Sequence, residues 1–243
     1  MIYQEILKVR GNEVGPNLKI TLPAIAGYFQ EAAWIHSMQF KLSVYDLMKE
    51  GKTWVLTRLI IEIDEYPRHN ENLTVVTWPS GYDRHNIFRD YHLLDKNGTV
   101  IGKCKSVWVI LDLKLKQVIP APPFITDLQL QHQIPFVPFV TDKIPTKDNY
   151  LIQRKFVAGW HDIDINRHVN HISYIRWVIE STPMDVLTKK EIASIDIAFR
   201  AESEYGDEIA AGSAVSEQSN IYLHKLTNAG NQKEVALART RWR

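Results

Sequence analysis

His171-Ile172-Ser173-Tyr174-Ile175-Arg176-Trp177-Val178-Ile179-Glu180-Ser181 is the stretch on which the fold turns. Ile172, Ile175, Val178 and Ile179 recur at three and four residues, the spacing of one helix face, and Pro183 just beyond supplies a stop. The period then changes. Residues 192–199, 208–216, 221–227 and 234–241 are rich in β-branched and aromatic side chains and are separated by turn formers such as Asn228-Ala229-Gly230-Asn231. The pattern predicts a helix followed by an antiparallel meander.

Moving toward the N-terminus, the same plan recurs. Thr21 and Pro23 suit a helix cap and first turn, and Ile25, Phe29, Ala32, Ala33 and His36 share one stripe. Strand-like runs follow over 54–63, 73–79, 87–94 and 100–111, with Asp95-Lys96-Asn97-Gly98 as a turn. A shift of 136 residues lays Arg58-Leu59-Ile60-Ile61 on Ser194-Ile195-Asp196-Ile197, and Asn70-Glu71-Asn72-Leu73 on Gly206-Asp207-Glu208-Ile209. So low an identity makes this a repeat of structure rather than of sequence. Between the halves, six prolines fall from Pro120 to Pro145 with no sustained period, as in an extended linker. The expected architecture is α+β, two tandem copies of a long helix wrapped by an antiparallel sheet, over 1–119 and 150–243 with a linker at 120–149.

The bulk composition narrows the function. An apolar share of 45% with 23% charged residues describes a globular protein with a sizeable core. A formal net charge of +1 gives no basic excess to neutralise a run of phosphates, which argues against nucleic acid as partner. Cys104 is the single cysteine, so no internal disulfide or Cys-x-x-Cys site exists, as suits a reducing compartment. The opening residues lack the blocks of a secretion signal, and no apolar run approaches the ~18 residues of a membrane helix. A cytoplasmic protein with no membrane partner is expected.

Chemistry concentrates just before the second helix, in His161-Asp162-Ile163-Asp164-Ile165-Asn166-Arg167-His168-Val169-Asn170. Alternation would place Asp162, Asp164, Asn166 and His168 on one side of an extended loop, beside the free N–H groups of the helix start. Acyl hydrolysis needs a base or nucleophile, a proton carrier and a donor for the developing oxyanion. Asp164, His168 and the helix terminus fit those roles, with Asn166 orienting a partner. The competing explanation is simple capping, since Asp and Asn before a helix are most often caps.

The run Asp164-Ile165-Asn166-Arg167-His168-Val169-Asn170, with Tyr174-Ile175-x-Trp177 and Glu180-Ser181-x-Pro183, resembles the signature of plant and bacterial acyl-acyl-carrier-protein thioesterases. Glu13-Val14-Gly15-Pro16, Trp54-Val55-x-Thr57-Arg58, Tyr66-Pro67 and Ser106-Val107-Trp108-Val109 resemble further blocks of that family, so the likeness covers most of the chain. It implies a double hotdog fold and release of free fatty acid from acyl carrier protein during fatty acid biosynthesis. By position it also implies that Asp164, Asn166, His168 and Glu202 are catalytic. Plant members usually carry a cysteine after that glutamate, where this chain has Ser203, so attack by water or directly by Asp164 is expected instead. The shift of 136 residues sets Tyr66 opposite Glu202, so only the second half is expected to be catalytic. The first half would shape the acyl pocket, through Ile25, Phe29, Ala33 and residues near Trp54.

The histidine spacing matches no common ligand set, and neither metal nor cofactor is expected. Arg84, His85, Arg89, Lys103 and Lys105 form a basic set that would suit an acidic carrier surface or a phosphopantetheine phosphate, or else are solvated strand faces. The expected partner is acyl carrier protein bearing a phosphopantetheine-linked acyl chain; a homodimer is compatible with the sequence, and no residue specifies one. Three alternatives stand beside this reading: an acyl-coenzyme A thioesterase, a non-catalytic acyl-binding hotdog protein and, more weakly, a hotdog dehydratase.

Overall fold

The computed structural model describes residues 2–126 and 142–243, so residues 127–141 of the expected linker lie outside the described residues. The chain divides into two compact units, Met1–Val140 and Thr141–Arg243.

The first unit contains β1 (Tyr3–Lys8), α1 (Leu22–Met38), α2 (Val44–Lys49), β2 (Lys52–Ile63), β3 (Asn72–Tyr82), β4 (Ile87–Leu94), β5 (Val100–Asp112), β6 (Gln117–Ile119) and α3 (Pro123–Thr126). Its strands pair antiparallel in the order β1-β3-β4-β5-β2, with β6 on the end of β5. Thr21 starts α1 as expected, its hydroxyl accepting the Ala24 N–H at 3.4 Å. The helix buries Leu22, Ile25, Ala26, Phe29, Ala32 and His36, and the Phe29 ring lies 5.1 Å from that of Tyr91 on β4.

Two members of the expected basic set are not available to a partner. Lys105 is fully buried with its ammonium 2.7 Å from a carboxylate oxygen of Asp90, its antiparallel neighbour across β4 and β5. Arg89 turns inward, 3.0 Å from His36 Nδ1 and donating to Thr77 Oγ1 at 3.2 Å. Desolvating these cations is tolerated only because polar groups meet them inside the sheet.

The second unit contains β7 (Leu151–Val157), α4 (His171–Glu180), α5 (Met184–Lys189), β8 (Ile192–Phe199), β9 (Glu208–Val215), β10 (Ile221–Asn228) and β11 (Glu234–Trp242). The antiparallel order is β8-β11-β10-β9-β7. Helix α4 buries Ser173, Tyr174, Ile175, Trp177 and Val178; Trp177 stacks on Phe156 of β7 at 5.6 Å, and Tyr174 meets Phe199 of β8 edge-on at 5.9 Å. Its C-terminus is pinned by a buried polar chain. Ser181 Oγ lies 2.9 Å from His224 Nδ1, His224 Nε2 lies 2.8 Å from Thr240 Oγ1, and Ser213 Oγ donates to the Ser181 carbonyl at 2.8 Å.

Each unit therefore sets a helix against an antiparallel sheet, as the repeated pattern predicts. The first strand of each unit, β1 and β7, was not expected. β1 reads Tyr-Gln-Glu-Ile-Leu-Lys, and every second residue is exposed, so its apolar signal is that of an edge rather than a core strand.

Burial pulls His224 down to about 3, and burial beside Arg89 pulls His36 down to about 4, from 6.5. Both are neutral in the fold and charge on unfolding. Below pH about 6.5 the unfolded chain binds protons that the folded chain refuses, so stability falls by about 1.4 kcal/mol per pH unit for each histidine until the folded pKa is reached. Urea unfolding midpoints between pH 7 and about 4 should decline accordingly, and more gently in His224→Gln. An identical slope in the variant would show that His224 is not held neutral.

Candidate active site

The segment between β7 and α4 begins with a 3-10 turn, Trp160–Asp162, and Asp162 anchors it. Its carboxylate accepts the Gly159 N–H at 2.9 Å and the Ser173 hydroxyl at 2.7 Å, and pairs with Arg176. Burial pushes the Asp162 carboxyl up, but the Ser173 and Gly159 hydrogen bonds and the Arg176 charge outweigh it and hold it below the usual carboxylate range. Asp162 therefore ties the loop to α4 and does not share a face with the other polar groups for chemistry.

The loop that follows is not extended, as alternation had suggested; it folds back on itself. Asp164 N–H donates to the His168 carbonyl at 2.8 Å, Arg167 N–H donates to the Asp164 carbonyl at 3.0 Å, and Ile163 bridges Val169 antiparallel. Arg167 makes the reversal at φ 65°, left-handed backbone that costs a non-glycine residue about 1–2 kcal/mol. The turn places Asp164, Asn166 and His168 on a span that closes in one backbone hydrogen bond. The Asn166 N–H donates to Asp164 Oδ1 at 2.8 Å, and its side-chain amide reaches Asp164 Oδ2 at 3.5 Å.

Glu202 comes from the loop after β8. Val169 N–H donates to the Ser203 carbonyl at 2.8 Å, which pins this loop beside the first, and His168 Nε2 lies 3.4 Å from Glu202 Oε2. His168 is half-buried and Glu202 exposed, so the pair faces a surface that a ligand can reach. The four residues singled out in the sequence thus form two direct contacts, Asp164 with Asn166 and His168 with Glu202, on loops joined by backbone hydrogen bonds.

One expectation changes. The helix terminus is capped by its own neighbour, because Asn170 Oδ1 accepts the Ile172 N–H at 2.9 Å. The capping explanation therefore holds for Asn170 and Asp162, and Asp164 too accepts a local backbone N–H, that of Asn166. Ser203 is 1% exposed and lies against the Tyr174 phenol, which burial pushes up to about 12. A hydroxyl so enclosed is not placed to attack a substrate. Among the described residues no group of three or more His, Cys, Asp or Glu is placed to hold a metal ion.

The first unit carries the same backbone loop with different side chains. Gly15 N–H donates to the Lys19 carbonyl at 2.9 Å, Leu18 sits at φ 59°, Val14 bridges Ile20, and Ile20 N–H donates to the Pro67 carbonyl at 2.9 Å. Gly15, Asn17 and Lys19 thereby stand where the second unit has Asp164, Asn166 and His168, and Tyr66 where it has Glu202. These loops repeat at 149 residues while the strands repeat at 136, so a single shift could not find both. The detectable signal was the eight-residue spacing from Glu13 to Thr21 and from Asp162 to Asn170.

A model of the acyl-ACP thioesterase N-terminal domain matches residues 1–128, and one of the C-terminal domain matches residues 146–243. The chain belongs to the acyl-ACP thioesterase family. All four candidate residues fall in the part that matches the family's C-terminal domain. An acyl-ACP thioesterase from Bacteroides thetaiotaomicron has a structure similar over 100% of this chain and 98% of its own, with a TM-score of 0.88 and 26% identity. The 12:0-ACP thioesterase of Umbellularia californica shares the fold at a TM-score of 0.82 and 22% identity, over 100% and 97% of the two chains. With these neighbours the fold is the double hotdog that the family resemblance implies, in agreement with the repeat of helix and sheet. Among curated relatives, a chloroplastic acyl-[acyl-carrier-protein] hydrolase of Cuphea viscosissima is 24% identical over 99% of this chain, and a chloroplastic palmitoyl-acyl carrier protein thioesterase of Cuphea hookeriana is 25% identical over 100%. The chain spans 62% of the length of each.

Asp162→Ala removes the anchor but no group assigned to chemistry. Thermal unfolding should show a loss of about 1–3 kcal/mol as the Ser173, Gly159 and Arg176 partners are left unmet, with a fall in turnover beyond that explained by the unfolded fraction. Unchanged stability would mean that Asp162 does not hold the loop.

Proposed function

We propose that this chain hydrolyses the thioester linking a fatty acyl group to the phosphopantetheine arm of acyl carrier protein, releasing free fatty acid and carrier protein in fatty acid biosynthesis. The observation that carries the reading is the contact of His168 with Glu202 beside the Asp164–Asn166 pair, within a member of this family. Asp164, Asn166, His168 and Glu202 are the catalytic residues. Glu202 orients the His168 ring, and the Asn166 amide aligns Asp164. Water, deprotonated by one of these bases, adds to the thioester carbonyl; the C–S bond breaks and the thiolate takes a proton from His168. Direct attack by Asp164 through a mixed anhydride gives the same products, and single turnover in ¹⁸O-labelled water separates the two routes.

The second unit is the catalytic half. The first, 1–119, shapes the acyl pocket, with Ile25, Phe29 and Ala33 on the α1 stripe and Trp54 on β2, and 120–149 links the halves. The loss of all but an amide from the first unit's loop supports this division. The lone thiol Cys104 supports a reducing, cytoplasmic setting; among the described residues no helix is long and apolar enough to cross a membrane. All four catalytic groups come from one chain, so the scheme requires no second copy.

Free thiol release from carrier-bound and coenzyme A thioesters of several chain lengths tests the reading, with faster carrier turnover expected. Asp164→Ala and His168→Ala should each lose at least ~10²-fold in rate while remaining folded. Ser203→Ala and Cys104→Ala should stay active. Faster coenzyme A turnover, or full activity in His168→Ala, would overturn the assignment.

A further inference from the structure

Two aromatic residues beside the candidate site are displayed rather than buried. Trp160 is 74% exposed and Tyr205 is 65% exposed, and their rings meet edge-to-face at 6.2 Å. Trp160 opens the 3-10 turn that ends at Asp162, and Tyr205 stands three residues after Glu202.

The backbone beneath both is fixed. Gly159 N–H is held by Asp162, Glu204 N–H donates to Asp207 Oδ2 at 2.9 Å, and Gly206, at φ 88°, donates its N–H to the Ala158 carbonyl at 2.9 Å. A rigid frame that leaves two large rings in water presents a contact surface ready to bind without reordering.

The first unit supplies an internal control. Its equivalent backbone bonds run from Val9 N–H to the Glu71 carbonyl and from Asn70 N–H to the Val9 carbonyl, matching Ala158 with Asp207 and Gly206 with Ala158. Gly11 then stands at the position of Trp160, and His69 at that of Tyr205. The fold closes with neither ring present, so the aromatic pair belongs to the unit that carries the chemistry and not to the folding of the loop.

We propose that Trp160 and Tyr205 form the subsite for the pantetheine arm of the carrier-bound thioester, an inference that rests on the thioesterase reading of the adjacent residues. The arm has a branched apolar segment and two neutral amides, and such a chain packs against ring faces and hydrogen-bonds to a phenol or an indole N–H. The exposed charged residues of the two loops that carry the pair are of both signs, Glu202 and Glu204 on one and Arg167 on the other. That balance suits an uncharged chain better than the single-signed surface of a carrier domain.

The test uses the full chain, Trp160→Ala, Tyr205→Ala and the double variant, with one acyl group carried on carrier protein, on pantetheine and on N-acetylcysteamine, which lacks the branched segment. Binding of a non-hydrolysable acyl-pantetheine amide is followed by calorimetry alongside. In the double variant, the kcat/KM ratio of the pantetheine to the N-acetylcysteamine thioester should fall about tenfold through KM, and the analogue should bind about tenfold more weakly. An unchanged ratio or unchanged analogue affinity overturns the subsite. So does a loss confined to the carrier substrate, which would indicate docking of the protein surface. Absence of thiol release by the wild-type chain would sink the hydrolase reading alone, because analogue binding still reports on the pair; Trp160→Phe, which preserves bulk, should retain most of that affinity.

Discussion

The site depends on one backbone reversal, in which the Asp164 N–H closes onto the His168 carbonyl at 2.8 Å with Arg167 in the left-handed region. Were the loop extended, Asp164 and His168 would lie four residues apart along a strand, up to about 14 Å, and no carbonyl could meet both. The reversal is supported from three sides. Asp162 fastens its start to α4, Asn170 caps the helix at its end, and Val169 hydrogen-bonds the Ser203 carbonyl so that Glu202 arrives against His168. The strain at Arg167 persists because these bonds over-determine the turn.

The duplication shows that this backbone is a feature of the fold, on which the two units carry different side chains. Both units build the same loop, with Leu18 and Arg167 in the same unfavoured conformation, yet only one bears an acid, an imidazole and a glutamate. A Gly at the acid's position, a Lys at the imidazole's and a Tyr at the glutamate's leave geometry without a base. The exposed Trp160 and Tyr205 follow the same division, absent where the base is absent.

Periodicity made the long elements legible. Helices α1 and α4 and the core strands carry clean 3.6- or 2-residue patterns, and 87–94 and 192–199 match β4 and β8 to the residue. Edge strands β1 and β7 were not; in β1 every second side chain faces water, which breaks up its apolar signal. The loop's chirality was illegible for another reason: neither Leu nor Arg marks a left-handed position as Gly or Asn does. The identities of Asp164, Asn166 and His168 could be read from local density of polar groups, whereas Glu202, far along the chain, came only through resemblance to a family. Its contact with His168 is a product of tertiary structure. The inward turn of Arg89 and Lys105 was likewise invisible, since a cation on a strand gives no sign of which face is buried.

The central claim is that one carbonyl can meet both loops of the second unit at once. A crystal structure of the chain with a non-hydrolysable acyl-pantetheine amide tests it most directly. The account predicts the amide carbonyl within hydrogen-bonding distance of the Asn166 or His168 side chain, Asp164 facing its carbon, and Glu202 still against the His168 ring. An analogue seated elsewhere, with those four side chains untouched, would contradict it.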